Sequence, residues 1–259
     1  MSLSAMFGLS LRNWNAWMPG RETAEAWRQW ASNGEPAADA LLSAGEALVP
    51  PPLKEIPPLL RRRADLMGRA ALHVLSRPEM PYKGQSIVLC SRLGEFSRSY
   101  VLQEELAREG MVSPQQFSMS VHNATGGLFM MAQKAHAPLT ALSAGEGGAL
   151  AGLQEAAAQL AEGCPAVWLV YCEEPLIPEY RSLAAKPDEQ ADYFAFLLEL
   201  VPGDEYRLVS GEGAGTQGRT ASALELLAFF LRPAEAGISL SSCGGWMLRR
   251  QPGAGDNDA

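Results

Sequence analysis

Histidine is scarce in this chain: three occur in 259 residues, His73, His122 and His136, and none follows the last of them. They do not stand at metal-ligand spacing with carboxylates or cysteines, so no resident metal is expected. Cysteine is nearly as sparse, at positions 90, 164, 172 and 243. Three of the four sit in or beside apolar runs, which reads as buried free thiols in a reducing compartment. Continuous apolar runs of the roughly 18 residues that a membrane helix needs are lacking, and no basic-then-apolar leader opens the sequence. The expectation is a cytoplasmic protein without a membrane span. Positive charge is in deficit, 21 Lys and Arg against 29 Asp and Glu, for a formal net charge of −8. That balance weighs against a nucleic-acid partner. Two glycine-rich runs, GEGG at 145–148 and GEGAG at 211–215, lack the strand, lysine and Ser/Thr setting of a phosphate cradle. No cofactor is expected.

What the chain does have is a large apolar fraction, 47%, enough for an ample core. Strand signals alternate with helical ones, which predicts an α/β fold with a sheet covered by helices. Residues 1–250 read as a single domain, and the polar run 251–259 as a disordered tail.

The stretch at 113–161 organises this reading. Pro138 favours extended geometry at Ala137, and Leu139–Ser143 can form a short strand. Gly145, Gly147 and Gly148 allow a tight turn into residues 149–161. There Leu150, Leu153, Ala156, Ala157 and Leu160 recur at three- and four-residue spacing, as on a helix with one buried face. Strand, sharp turn and helix can place one side chain at a pocket entrance. The residue at that bend is Glu146.

Elsewhere, residues 5–14 can form an opening strand. Trp14, Trp17, Trp27 and Trp30 either anchor an N-terminal excursion against the body or form an exposed partner surface. Residues 34–52 read as loop. From Pro57 and Pro58 a helix is expected, with Leu60, Ala64, Met67, Ala71 and Val74 along one face. Arg61, Arg62 and Arg63 make the densest basic run: a solvated helix end, or a docking site for an acidic partner. Residues 86–90 form a strand candidate, and 97–109 a helix that packs through Tyr100, Leu102 and Leu106. Residues 166–172 read as a central strand. Residues 192–201 read as strand or helix, bracketed by turn signals at 187–190 and 203–205. A helix from 221 to 231 and strands at 237–241 and 245–248 complete the chain.

Candidate chemistry is thin. His73 reads as structural. His122 and Asn123, in SVHNATGG, mark either a packed helix entrance or a pocket. His136 sits in a turn before a proline. The adjacent Glu173 and Glu174 do not by themselves establish a general acid and base.

The run SPQQFSMSVHNATGGLFMMAQ, then Ala137–Pro138, then the strand and glycine-rich turn, resembles the N-terminal half of a β-ketoacyl synthase. More closely it resembles the short ketosynthase-like proteins called β-ketoacyl synthase chain-length factors, of the aryl-polyene type. VLCSRLGEFSR at 88–98, PPLLRRRADLMGRAA at 57–71 and AVWLVYCEEPLIPEY at 166–180 add to the resemblance. It spans about residues 5–180 well and is looser beyond.

The resemblance implies a thiolase-like α/β fold reduced to about one ketosynthase half. Condensing enzymes carry their nucleophilic cysteine on the turn after the strand. The match puts Glu146 there, with Gly147, Gly148 and Ala149 on the small-residue positions that follow. A carboxylate cannot do the thioester chemistry of that cysteine, and the late catalytic histidines have no counterpart here. No catalytic residue is therefore expected. The implied role is a subunit paired with a catalytic β-ketoacyl synthase, acting on chains held by an acyl carrier protein and shaping the acyl tunnel. Tunnel or interface positions would include His122, Asn123, Gly126, Gly127, Leu139, Ser143, Gly147, Gly148 and Ala149, with Arg61, Arg62 and Arg63 as docking residues. The competing readings are an independent acyl-processing enzyme using Glu146 or His122, and a purely structural partner.

Overall fold

The runs that read as strands are apolar at nearly every position because both faces of their sheet are covered. In the computed structural model, which describes residues 6–33, 49–183, 192–210, 221–240 and 245–252, seven strands form one mixed sheet. They are β1 (Met6–Trp17), β2 (Ser86–Ser91), β3 (Leu139–Ser143), β4 (Val167–Glu173), β5 (Phe194–Ser210), β6 (Gly237–Ser239) and β7 (Trp246–Arg250). The order is β3-β2-β4-β5-β7-β6, with β1 also paired to β5. β3, β2 and β4 are mutually parallel, and the other pairings are antiparallel. The α-helices of the described residues are α1 (Ala24–Ser32), α2 (Pro58–Arg61), α3 (Leu66–Leu75), α4 (Phe96–Glu109), α5 (Pro114–Ser118), α6 (Ala124–Gln133), α7 (Gly148–Ala161) and α8 (Ala223–Leu231).

Strand alternation sorts the apolar side chains into two cores. Val167, Leu169 and Tyr171 of β4 enter a first core that also holds residues of α1, α7 and α8. Trp168, Val170 and Cys172 enter a second, with residues of α3 and α6. β5 alternates in the same way: Phe194, Phe196, Leu198 and Leu200 face the first core, Ala195 and Leu197 the second. That burial on both faces decides residues 192–201 in favour of strand, where periodicity alone left helix open.

The tryptophans anchor the N-terminal segment. Trp27 and Trp30 meet edge to face at 5.2 Å in the first core, with the Arg21 guanidinium 5.2 and 5.5 Å from their ring centres. Trp17 lies in the second core, and Trp14 packs on the first.

Several expectations are corrected. The single helix from Pro57 is two helices, because Asp65 takes extended geometry and caps α3 by accepting from Gly68 N–H. Met67, Ala71 and Val74 are still buried, with Leu60 and Ala64 packed against the same core. The turn signal at 203–205 does not end a strand. β5 runs through it as an irregularity: Leu9 pairs with Tyr206 and Ser10 with Val201, leaving residues 202–205 as an insertion in β5. The helix α4 hardly packs, since Leu102 is its one buried residue and Leu106 is 52% exposed. The two strands expected at 237–241 and 245–248 are β6 and β7, with residue 241 outside the described residues. The loop at 34–48, the turn signal at 187–190, the glycine run 211–215, Cys243 and the tail from 253 also lie outside them. No helix of the described residues is long and apolar enough to cross a membrane.

Candidate functional site

The bend between β3 and α7 is built as its sequence suggests. Gly145 adopts φ +56°, a region that disfavours side chains. Residues Gly145–Gly147 form one 3₁₀ turn before α7 begins at Gly148. The turn is fastened to the loop after β2: Gly145 N–H and the Ser143 hydroxyl each donate to the Arg92 carbonyl at 3.0 Å. Gly148 is buried, and a Cβ there would lie 3.2 Å from the Ser91 carbonyl oxygen and 3.3 Å from the Tyr171 ring. Four residues on, a Cβ at Gly152 would lie 2.5 Å from Cys90 Sγ. These two glycines let α7 approach the sheet closely.

Glu146 sits on this bend, immediately before the first turn of α7, and its side chain is exposed. The positive end of α7 favours a carboxylate at that place. Gly147 is half-buried with open space around it, whereas Ala149 belongs to the first core.

None of the described cysteines reaches the bend as a nucleophile. Cys90 lies inside β2, its thiol pushed up to about 12 by burial and then by Glu155. Cys172, in β4, is likewise raised by burial. Cys164 follows α7 and is half-buried.

His122 is a packing residue of the helix entrance. Its Nε2 lies 2.6 Å from the Leu142 carbonyl, which fixes Nε2 as the donor. Burial lowers its pKa, so the ring is neutral, and Gly94 leaves the room in which it lies. Asn123 is exposed and makes no side-chain cap on α6. Gly126 is closed off, since a Cβ there would lie 2.7 Å from Leu139 Cδ2, while Gly127 meets nothing within 4 Å. Leu139 thus packs inward, and Ser143 is exposed. The main chain of β3 stands at the sheet edge, paired to β2 alone among the described residues.

The three arginines do not act alike. Arg61 folds back and donates to the carbonyls of Pro52 (3.0 Å) and Leu53 (3.3 Å). Arg62 and Arg63 are exposed, and neither guanidinium has a partner among the described residues. His73 is held beside Arg77 and under Trp17, with its pKa lowered to about 4 by burial and then by Arg77. His136 is exposed.

Glu173 and Glu174 prove to be fasteners. Glu173 accepts from Arg92 N–H and from the Tyr171 hydroxyl, both at 3.1 Å, and Glu174 accepts from Ser97 N–H at 3.0 Å. Together they fix the loop after β2 to the end of β4.

The sequence reading missed a group beside them. Glu95 is 5% exposed at the start of α4 and receives the Thr125 hydroxyl at 3.4 Å. Arg98 Nε lies 2.5 Å from Asp65 and 3.3 Å from Glu95. Burial, then Asp65, pushes Glu95 up to about 9, so it stands protonated at neutral pH. Arg98, Asp65 and Glu174 line a cavity of about 450 Å³ whose walls include Leu66, Val101, Leu102 and Tyr193. The available signal was GEFSR, a carboxylate and an arginine one helical turn apart, quoted for resemblance but not read as a pair. No group of His, Cys, Asp and Glu among the described residues could hold a metal ion.

With this geometry established, likeness to known proteins is informative. No match was found among curated proteins. Among solved structures, a chain of the ketosynthase ApeO in complex with its chain length factor ApeC, from Xenorhabdus doucetiae, is similar at 25% identity and TM-score 0.77. That match covers 94% of this chain and 99% of that one. The ishigamide ketosynthase/chain length factor is similar at 12% identity and TM-score 0.59, covering 78% of this chain and 65% of that one. A β-ketoacyl synthase from Burkholderia phymatum is similar at 12% identity and TM-score 0.55, covering 87% and 69%. The last two identities speak for the fold alone, a ketosynthase-like half with a helix-covered mixed sheet. Residues 27–241 match the family described as Beta-ketoacyl synthase, N-terminal domain, and the chain belongs to that family.

Proposed function

We propose that this chain is a non-catalytic chain-length-factor subunit. In this reading it pairs with a catalytic β-ketoacyl synthase and shapes the acyl tunnel while a chain grows on an acyl carrier protein. The observation that supports the proposal is the bend itself: a strand, a tight turn and a helix follow one another with an exposed glutamate on the turn, where the resemblance puts a condensing enzyme's nucleophile. Burial holds the thiols of Cys90 and Cys172 in their protonated form, and His122 is occupied by Leu142. The contact with Leu142 weighs against the competing reading in which His122 serves an independent acyl-processing enzyme.

The edge strand β3 supports pairing, because its outer main-chain groups, unpaired with any strand among the described residues, form a template for another chain. Gly127 and Gly147 are the small residues with space beside them, which favours them over Gly126 and Ala149 as tunnel positions. Arg62 and Arg63 are the docking candidates for an acidic carrier protein, while Arg61 is committed to its own chain. A single domain over residues 1–250 and a cytoplasmic setting complete the reading.

The test is a condensation assay with carrier-protein-bound acyl and malonyl substrates. The isolated chain is expected to give no product, and adding the ketosynthase partner is expected to give one. Turnover by the isolated chain would overturn the proposal.

A further inference from the structure

Arg98 connects two parts of the molecule that the sequence keeps well apart. It stands in the first turn of α4, its side chain 25% exposed, and its guanidinium makes three contacts. Nε reaches Asp65, the N-cap of α3, at 2.5 Å and Glu95 at 3.3 Å. Nη2 donates to the main-chain carbonyl of Arg63 at 3.0 Å. By the last contact a cation on one helix holds the backbone of a segment that carries two further arginines.

That segment, residues 62–65, joins α2 to α3 and carries Arg62 and Arg63 into solvent. Its upstream end is held by Arg69, which donates to the carbonyls of Arg61 at 3.4 Å and Pro51 at 2.8 Å. Its downstream end is held by Arg98. Two adjacent, exposed arginines repel each other and are free to rotate. The backbone beneath them must be fixed if both are to face one partner. Arg98 also reaches the loop that supports the bend. Glu95 closes the loop after β2, and in that loop the Arg92 carbonyl holds Gly145 and Ser143. Bonds to side chain and backbone therefore run from the arginine pair to the turn that carries Glu146.

We propose that Arg98 is the positioning residue of the carrier-protein docking site: it fixes the backbone under Arg62 and Arg63 so that both guanidinium groups meet an acidic protein surface together. The inference rests on the docking reading of Arg62 and Arg63. Asp65 also accepts from Gly68 N–H, a bond that does not involve Arg98, so the cap of α3 has a support independent of that side chain. The planar fork of arginine serves three acceptors at once, which a lysine ammonium on its flexible stem cannot do with the same geometry.

The experiment titrates the full chain with holo acyl carrier protein from the same pathway, at several salt concentrations, for the wild type and four variants. Replacing both Arg62 and Arg63 by Ala should weaken binding about tenfold or more and flatten its salt dependence. Arg98→Ala should weaken it about fivefold, and Arg98→Lys should behave like Arg98→Ala despite keeping the charge. Combining Arg98→Ala with the double replacement should add nothing further, because the two act through one site. Thermal unfolding of each variant checks that the fold persists. Unchanged affinity in the Arg62/Arg63 variant would overturn the docking reading, and this inference with it. A weakened Arg62/Arg63 variant beside a wild-type-like Arg98→Ala would overturn the positioning role alone. So would full affinity in Arg98→Lys, or an additive loss in the triple variant.

Discussion

Leu139 fills the place where Gly126 lacks a side chain. A Cβ on Gly126 would lie 2.7 and 2.8 Å from the two Leu139 methyl groups, so α6 and the edge strand β3 touch through that gap. Gly127, the next residue, has nothing within 4 Å of its missing Cβ. Two neighbouring glycines thus have opposite meanings, one for packing and one for open space.

Gly126→Val should therefore cost stability, about 1–3 kcal/mol by overpacking, whereas Gly127→Val should cost far less. Chemical denaturation of both variants measures the difference. If Gly127 faces the acyl path, Gly127→Phe in the complex should shorten the product. Unchanged product length, read by mass spectrometry, would remove Gly127 from the tunnel.

Replacing Glu146 distinguishes a cap from a functional group. It is exposed before the first turn of α7, so Glu146→Ala should cost the chain no more than about 1 kcal/mol from the helix end. If the carboxylate supports the partner's site, Glu146→Ala should slow condensation by the complex while leaving the pairing intact, and Glu146→Gln should do less harm. Equal rates and equal product lengths for both variants would reduce Glu146 to a structural role.

Glu95 gives a pH signature of fixed sign. Its carboxyl is raised from the ordinary carboxylate range to about 9 by burial and then by the nearby Asp65. The stabilising effect of keeping its proton is fully present below the unfolded pKa. Between there and about 9 the unfolded chain ionises while the folded chain does not, so stability falls as pH rises. Glu95→Gln, an isostere of the protonated acid, should therefore gain on the wild type from pH 5 to pH 9. Melting temperatures at the two ends read this out, and a gain that shrinks with rising pH would contradict a buried neutral acid.

Pairing through the sheet edge is also measurable. Leu139–Ser143 is paired on one side only among the described residues. Its exposed amides should become protected from hydrogen exchange when the ketosynthase partner is added. Protection appearing elsewhere while β3 stays open would move the interface off this edge.

Much of the fold was legible in the residues. VWLVYC at 167–172 announced a strand buried on both faces because apolar side chains at every position suit nothing else of that length. The turn of glycines between Leu139–Ser143 and α7 was readable too, since glycine most readily accepts the positive φ of Gly145 and the close approach of Gly148 to the sheet. The identity of the residue on the bend followed from counting along the chain.

The tertiary structure decided what local patterns cannot carry. The turn signal at 203–205 lost to the pairing of β5 with β1, whose cross-strand bonds outweigh a local preference and leave a bulge. Whether Glu146 was buried depended on what covers the bend, which neighbouring residues do not specify. The roles of Gly126 and Gly127 were set by where Leu139 falls, across a helix and a sheet edge. Arg98 took its meaning from Asp65 and Arg63, more than thirty positions away. The sequence by itself determined most of the elements, the bend and the glutamate on it, because these follow from local geometry and residue chemistry. Burial and partnership between distant side chains came only from packing, because they depend on contacts the chain makes after its elements have assembled.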